Sequence, residues 1–168
     1  MSVLKIVVTG PACAGKTTFV KSLVNESFVS TEQRTTDGKG QETTTVGFDY
    51  GRVQVEDQSA TLFGTPGQAR FDYLWDILGE GADGCIFLFP ADNVSTADAS
   101  IRFVRQLSGE ENAPVVVGVT RTDLAVSEQH TEGQEQLERM ARRIEVVDPR
   151  DYAQCWRVLA GLVRILGS

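Results

Sequence analysis

The feature that most constrains this chain of 168 residues is an octapeptide near its amino terminus, GPACAGKT at positions 10–17, which fits the pattern G-x-x-x-x-G-K-[ST]. A short β-branched run, Leu4 to Thr9, precedes it, and a segment with helical periodicity, Gly15 to about Glu26, follows it. The apolar residues of that segment share one helical face; they are Phe19, Val20, Leu23 and Val24. A glycine-rich turn between a strand and a helix predicts a phosphate-binding loop.

Each part of the octapeptide has a physical role in such a loop. Gly10 and Gly15 let the backbone curl so that successive N–H groups point at phosphate oxygens, and the helix adds its positive end. Lys16 supplies a point charge for the β- and γ-phosphates, and the Thr17 hydroxyl is a ligand for Mg²⁺. The backbone N–H groups of three further residues complete the predicted phosphate site: Cys13, Ala14 and Thr18.

Strand-like and helix-like runs alternate along the chain, which predicts one α/β domain over residues 1–168, with helices on both faces of a sheet. Six strands are predicted, two of them joined by a hairpin turn at Glu56 to Ser59. The strand segments are Leu4–Thr9, Val46–Val55, Ala60–Phe63, Cys85–Phe89, Val115–Val119 and Ile144–Val147. Predicted helices follow 10–17, extend from position 69 to about Leu78, surround Ile101 and Val104, run from about Ser127 to Arg143, and contain Leu159 and Val163.

Two local irregularities are also expected. The stretch from Ser30 to Thr44 is polar and has no period, which predicts a long functional loop. The alternation of Val46, Phe48 and Tyr50 slips at Gly51 to Val53, which favours a β-bulge there.

The composition narrows the classes of partner. A net charge of −7 argues against nucleic-acid binding, which needs a cationic surface. The three cysteines, Cys13, Cys85 and Cys155, have no CxxC spacing and are expected to be reduced thiols. The sequence shows no signal peptide, lipidation motif or run of ~20 apolar residues. We therefore expect a cytoplasmic protein without a direct membrane anchor.

Beyond the octapeptide, the sequence resembles the small GTPases of the Ras superfamily. Thr45-Val46-Gly47-Phe48 is similar to the switch I motif T-I-G-[VF] of Rab and Arf proteins. The resemblance implies the Ras-like fold of a P-loop NTPase, with a six-stranded, mostly parallel sheet. It also implies that Thr45 closes over the γ-phosphate of GTP and coordinates Mg²⁺.

The segment Gly64-Thr65-Pro66-Gly67-Gln68 resembles switch II, D-x-x-G-Q. By this resemblance the Gly67 N–H bonds the γ-phosphate, and Gln68 orients the attacking water, so that Gln68, Lys16 and Thr45 form the catalytic set. Gly64 stands where the family has the Asp that holds Mg²⁺ through a water. Asp49 and Asp92 are both possible substitutes, and the sequence does not choose between them.

Guanine recognition is implied by Thr120-Arg121-Thr122-Asp123, which resembles N/T-K-x-D after an apolar strand. Asp123 would accept hydrogen bonds from guanine N1 and N2, and Arg121 would cover the purine plane. Residues 148–150 (Asp-Pro-Arg) fall at the family's S-A-K motif, where a backbone N–H contacts guanine O6. Pro149 takes the central position of that motif.

The P-G-Q sequence and the missing switch II Asp are similar to the prokaryotic Ras-like group that includes the gliding-motility polarity GTPase. That resemblance implies a slow GTPase switch with a roadblock/LC7-type activator or co-regulator and an effector that the sequence does not identify. The sequence does not decide whether an arginine finger is supplied by Arg34, Arg52, Arg70 or a partner protein. Two alternatives remain at this point: a nucleotide-sensing module with little hydrolysis, and a P-loop ATPase or kinase.

Overall fold

Alternating strands and helices make up most of the computed structural model, which describes residues 2–24, 28–30, 33–36, 42–46, 48–66, 72–92, 98–124 and 132–168. The strands of this part are β1 (Leu4–Thr9), β2 (Val29–Ser30), β3 (Gln33–Thr36), β4 (Glu42–Val46), β5 (Asp49–Val55), β6 (Gln58–Gly64), β7 (Gly84–Pro90), β8 (Val115–Thr120) and β9 (Ala141–Val146). The helices are α1 (Lys16–Val24), α2 (Asp72–Gly79), α3 (Asp98–Glu110), α4 (Glu132–Met140) and α5 (Tyr152–Leu166), with a 3₁₀ turn at Thr122–Leu124.

The main sheet has the strand order β2-β5-β6-β1-β7-β8-β9. β5 pairs antiparallel with β6 and with β2, whereas the ladders from β6 through β1, β7 and β8 to β9 are parallel. The predicted six-stranded, mostly parallel sheet is confirmed, and the two-residue β2 adds a seventh strand at one edge. Because parallel strands share a direction, the carboxyl ends of β1, β7 and β8 meet at one edge of the sheet.

Apolar side chains cover both faces of the sheet. Strand β1 shows the alternation that this requires, since Ile6 and Val8 pack in the cluster with α1 and α5, and Val7 packs in the cluster with α3. Phe19 of α1 and Leu159 of α5 are fully buried in the first cluster. The sheet therefore holds the loop after β1 between two packed layers. None of the described helices has the length and apolar character needed to cross a membrane.

The region predicted as a loop from Ser30 to Thr44 contains paired backbone. β3 and β4 form a separate two-stranded antiparallel sheet, with Thr35 opposite Thr43 and Thr36 opposite Glu42. The prediction of a loop is therefore wrong for the residues of β3 and β4. The β-branched threonines favour extended backbone even though the segment lacks an apolar alternation.

The predicted bulge at Gly51 to Val53 is also wrong, because β5 pairs with β6 without a break from Asp49 opposite Gly64 to Val55 opposite Gln58. The apolar alternation in the sequence is interrupted at Gly51 because this inward-facing position packs directly against α1. A Cβ at position 51 would lie 2.6 Å from a methyl carbon of Val24, so the inward position has no room for a side chain.

The predicted helix end at Arg143 is likewise wrong. α4 ends at Met140, and β9 begins at Ala141, which pairs with Val115 of β8. Arg143 pairs with Glu145. Tertiary pairing with β8 decides this boundary against the local helical preference.

Candidate nucleotide-binding site

The loop between β1 and α1 has the backbone that its glycines predict. Gly10 has φ of +152°, and a Cβ there would lie 2.4 Å from the carbonyl oxygen of Leu88. Gly15 has φ of +94°, and its Cβ would lie 2.7 Å from Cγ of Pro149. Both positions exclude a side chain on steric and conformational grounds. Cys13 adopts φ of +63° without that freedom, and its side chain is exposed.

Lys16 is held inside this loop. Its side chain is buried, and Nζ donates to the carbonyl oxygens of Gly10 at 2.8 Å and Pro11 at 2.6 Å. Burial lowers the pKa of Lys16 to about 8, an effect that Cys13 and Asp49 partly offset. A buried ammonium whose partners, within the described residues, are carbonyl oxygens is well placed to exchange one of them for an anionic oxygen.

The side chains of Thr17 and Asp49 bring two oxygen atoms that could bind a metal ion close together, next to Lys16. The Thr17 hydroxyl donates to Oδ2 of Asp49 at 2.5 Å, and Asp49 is buried at the start of β5. Gly64 lies directly opposite Asp49 in the β5–β6 ladder, and a Cβ at Gly64 would sit 3.5 Å from Cβ of Asp49. The carboxylate of Asp49 thus occupies the neighbourhood where the glycine of switch II supplies no side chain.

The motif at the end of β8 is tied to the phosphate loop. Thr120 is buried, and its hydroxyl donates to the carbonyl oxygen of Ala14 at 2.9 Å. Arg121, with φ of +58°, donates from Nε to both carboxylate oxygens of Asp92 at 2.9 Å. Asp92 therefore stands beside the base-reading motif. Asp123 is exposed in the 3₁₀ turn that follows.

The loop between β9 and α5 closes the other side. The ring of Pro149 packs against Gly15, and its carbonyl oxygen accepts from the Ser22 hydroxyl at 2.6 Å. Arg150 donates from Nε and Nη2 to the two oxygens of Asp148, both at 2.9 Å, and these bonds hold the pKa of the Asp148 carboxyl below its usual value.

These loops enclose a cleft of about 550 Å³ at the carboxyl edge of the sheet, within the range of small-molecule sites. Seven residues predicted to bind nucleotide line it: Cys13, Ala14, Gly15, Thr18, Arg121, Asp123 and Pro149. Four others lie in the adjoining loop or beneath it: Gly10, Lys16, Thr17 and Thr120. The cleft also includes residues that the sequence analysis did not single out as ligand-binding, notably Val146, Asp148, Arg150 and Gln154.

Most residues predicted to form the two switch segments lie outside the part of the chain that the structure describes. Gly67, Gln68 and Arg70 lie outside the described residues, and for Thr45 and Arg34 only the backbone, in β4 and β3, is described. Thr65, just before them, is fixed to β1: its N–H donates to Val8 and its hydroxyl to Thr9 at 2.8 Å. The segment that resembles switch II therefore starts beside the end of β1, where the phosphate loop begins.

A glycine-rich loop between a parallel strand and a helix, with a buried lysine and a cleft at the carboxyl edge of the sheet, defines a P-loop nucleotide-binding protein. Comparison with protein families gives the narrower assignment: the sequence pattern of the Ras family matches residues 5–153. The chain belongs to the Ras family.

Individual relatives agree with this assignment. The chain is 26% identical over 121 residues to the uncharacterized protein MJ1339 of Methanocaldococcus jannaschii, covering 72% of this chain and 71% of that protein. It is 29% identical over 131 residues to the Ras-related protein RABG3d of Arabidopsis thaliana, and 29% identical over 133 residues to the Ras-related protein Rab7 of Pisum sativum. The matches cover 72% and 73% of this chain, but 59% and 60% of the plant proteins.

Proposed function

We propose that this chain is a GTP-binding molecular switch that hydrolyses GTP to GDP slowly. The observation that carries the proposal is the single cleft in which the phosphate loop and Asp123 meet. The Thr120–Ala14 hydrogen bond fixes the two motifs relative to each other. One ligand with a purine at one end and phosphates at the other would satisfy both.

The base end of the cleft is suited to guanine. Asp123 is exposed to the cleft and carries two acceptor oxygens, which match the N1–H and N2–H₂ donors of guanine. Adenine presents an acceptor at N1 and no amino group at C2, so it would leave the carboxylate unpaired. The ion pair with Asp92 fixes the guanidinium of Arg121, which lines the cleft, and this supports its proposed role over the purine plane.

The phosphate end depends on Lys16 and the loop backbone. Lys16 donates to the carbonyl oxygens of Gly10 and Pro11, so its ammonium is oriented in the loop. The β- and γ-phosphates would replace one of these carbonyl partners, and their charge would restore a high pKa to the buried lysine. The attraction between the phosphates and Lys16 would thereby offset the free-energy cost of burying the ammonium.

The donor set beside Lys16 fits Mg²⁺, which accepts one or two protein oxygens and completes its shell with water and phosphate. Thr17 and Asp49 would hold it, together with Thr45 if switch I closes as its resemblance to Rab and Arf implies. Phosphate oxygens and water would complete the shell. When bound, Mg²⁺ neutralises charge that develops on the phosphates.

Hydrolysis and switching would depend on the segments that resemble switch I and switch II. Gln68 would orient the attacking water, and the Gly67 N–H and Thr45 would be held by the γ-phosphate and released after hydrolysis. From the sequence we further propose a cytoplasmic location. The resemblance to the prokaryotic Ras-like group supports, as a further proposal, a roadblock/LC7-type activator or co-regulator. Single-turnover hydrolysis with Gln68→Ala as comparator separates a GTPase from a module that only senses nucleotide.

The test of the binding proposal is competition of GTP, GDP, ATP and ADP against a fluorescent guanine nucleotide, on the native chain and on Asp123→Ala. Guanine nucleotides should bind far more tightly than adenine nucleotides. We expect the variant to lose roughly 10-fold or more of that selectivity, because a charged hydrogen-bond acceptor is removed. ATP binding equal to GTP binding in the native chain would overturn the proposal in favour of an ATPase or kinase.

A further inference from the structure

The loop from Val147 to Asp151 offers no free backbone donor to a bound base. Four of its five residues have an N–H, and each N–H is already used, while Pro149 has none. The acceptors are the Val119 carbonyl for Val147 at 2.9 Å, Gln154 Oε1 for Asp148 at 2.9 Å, Asp148 Oδ1 for Arg150 at 3.0 Å and the Asp148 carbonyl for Asp151 at 2.9 Å. A hydrogen bond from this loop to the O6 atom of guanine must therefore come from a side chain.

The loop is also held against rearrangement. The Pro149 carbonyl accepts from Ser22 at 2.6 Å and from the Cys155 thiol at 3.4 Å, while the proline ring lies against Gly15 of the phosphate loop. Asp151 caps α5 by accepting from the N–H of Gln154. Freeing a backbone N–H for a ligand would break these contacts, so we expect the loop backbone to keep its conformation when a ligand binds.

Arg150 is the side chain that replaces the missing donor. It lines the same cleft as Asp123, and its bonds to Asp148 use Nε and Nη2. Within the described part of the chain, Nη1 is left for a ligand. The bidentate pair with Asp148 fixes the plane of the guanidinium. Its hydrogen bonds and charge raise the pKa of Arg150, and the charge of Asp123, which lines the same cleft, adds to this in the same direction.

We propose that Arg150 determines base specificity by donating from its guanidinium to the 6-oxo group of guanine, with Asp148 as the positioning residue. Together, Asp123 and Arg150 then present an acceptor and a donor that complement the N2–H₂, N1–H and O6 edge of guanine. Adenine has an amino donor at C6, which meets the guanidinium as donor against donor. This inference rests on the proposed guanine-nucleotide site and assigns one further residue to it.

The experiment compares dissociation constants of GDP, 6-thio-GDP and IDP for the native chain and Arg150→Ala. The sulfur of 6-thio-GDP is a weak acceptor, while N1–H and N2–H₂ are kept. We expect the native chain to bind GDP about tenfold more tightly than 6-thio-GDP, since a charge-assisted hydrogen bond is weakened. In Arg150→Ala this ratio should fall close to one. The ratio of IDP to GDP, which reports on Asp123 through the 2-amino group, should not change.

Arg164→Ala is the matched control, because Arg164 is also an exposed arginine in an ion pair, with Glu56, but does not line the cleft. It should keep both ratios. An unchanged 6-thio-GDP ratio in Arg150→Ala, or no such discrimination in the native chain, would overturn the role of Arg150. A native chain that binds ADP as well as GDP would instead overturn the proposed function, so the two failures are distinct.

Discussion

Among single residues, Asp49 gives the most specific prediction, because its carboxylate lies where it could replace the Asp that position 64 lacks. Its carboxylate accepts from Thr17 and lies across the ladder from Gly64, where a family member would have its own Asp. Asp92 instead bonds Arg121. The structure thus separates the two acids that the sequence left equivalent, and favours Asp49 as the group that faces a metal ion bound by Thr17.

We predict that Asp49→Asn reduces the gain in GDP affinity that Mg²⁺ provides by roughly tenfold, because groups that support metal ligands typically contribute that much. Affinity in EDTA should stay near that of the native chain. The measurement is GDP binding at fixed free Mg²⁺ and in EDTA.

Asp92→Asn is the control for the Asp49 experiment and should leave the Mg²⁺ gain unchanged. Gly64→Asp in the Asp49→Asn background should regain part of it, because position 64 has only ordinary contacts at 3.5–3.6 Å. A full Mg²⁺ response in Asp49→Asn alone would show that Asp49 does not serve the metal.

Lys16 gives a prediction about pH. Its pKa in the free protein is about 8, lowered by burial, and nearby phosphates would raise it in the complex. A group whose pKa rises on binding contributes fully below its free value and loses its contribution as pH rises through the bound value. The contribution of Lys16 to GDP affinity should therefore be constant below pH 7, and GDP affinity should weaken as the pH rises above 8.

Proton uptake measures this linkage directly. Calorimetry of GDP binding in buffers of different ionisation enthalpy should show uptake of about half a proton at pH 8 and about a tenth at pH 7. The phosphates of GDP are largely ionised at both values. Heats that do not depend on the buffer at pH 8 would mean that Lys16 is already fully charged in the free loop.

At the scale of elements, two glycines with opposite surroundings test the packing. Gly51 of β5 faces Val24 of α1, and a Cβ there would approach Val24 to 2.6 Å, whereas a Cβ at Gly109 of α3 would meet nothing within 4 Å. Gly51→Ala should lower the free energy of unfolding by about 1–3 kcal/mol through overpacking. Gly109→Ala should raise it by about 0.5–1 kcal/mol through helix propensity.

Chemical denaturation of both variants beside the native chain decides this pair. The two substitutions add the same methyl group, so the sign of each change reports the local environment rather than the chemistry of alanine. A Gly51→Ala variant as stable as the native chain would mean that β5 and α1 move apart at little cost.

The elements also show where sequence reasoning succeeds. Leu4–Thr9 was predicted to the residue, and the apolar runs after Cys85 and Val115 were predicted to within a residue or two, because these strands are buried on both faces. The start of β9 at Ala141 was missed because pairing with β8, and not local periodicity, determines it. The hairpin of β3 and β4 was missed because its residues carry no apolar alternation.

At the scale of the whole molecule, the site was predictable where one motif contains it and unpredictable where the fold assembles it. The phosphate loop is contiguous, so its residues could be assigned from the sequence. The Thr17–Asp49 bond joins residues 32 apart, and only the pairing of β5 with β6 places Asp49 there. The position of Arg150 had one local signal, since Pro149 lacks the N–H that its place in the loop requires.

The hairpin of β3 and β4 has a consequence for the cost of rearrangement. Within the described residues its ladder is separate from the seven-stranded sheet, so the strand that contains Thr45 can open without breaking a hydrogen bond of the main sheet. We therefore predict that in hydrogen exchange it behaves as its own cooperative unit, which opens without global unfolding. Amides of this unit should therefore exchange well before those of β1 and β7, and the proposed closure of Thr45 over a γ-phosphate would have to rearrange this hairpin alone.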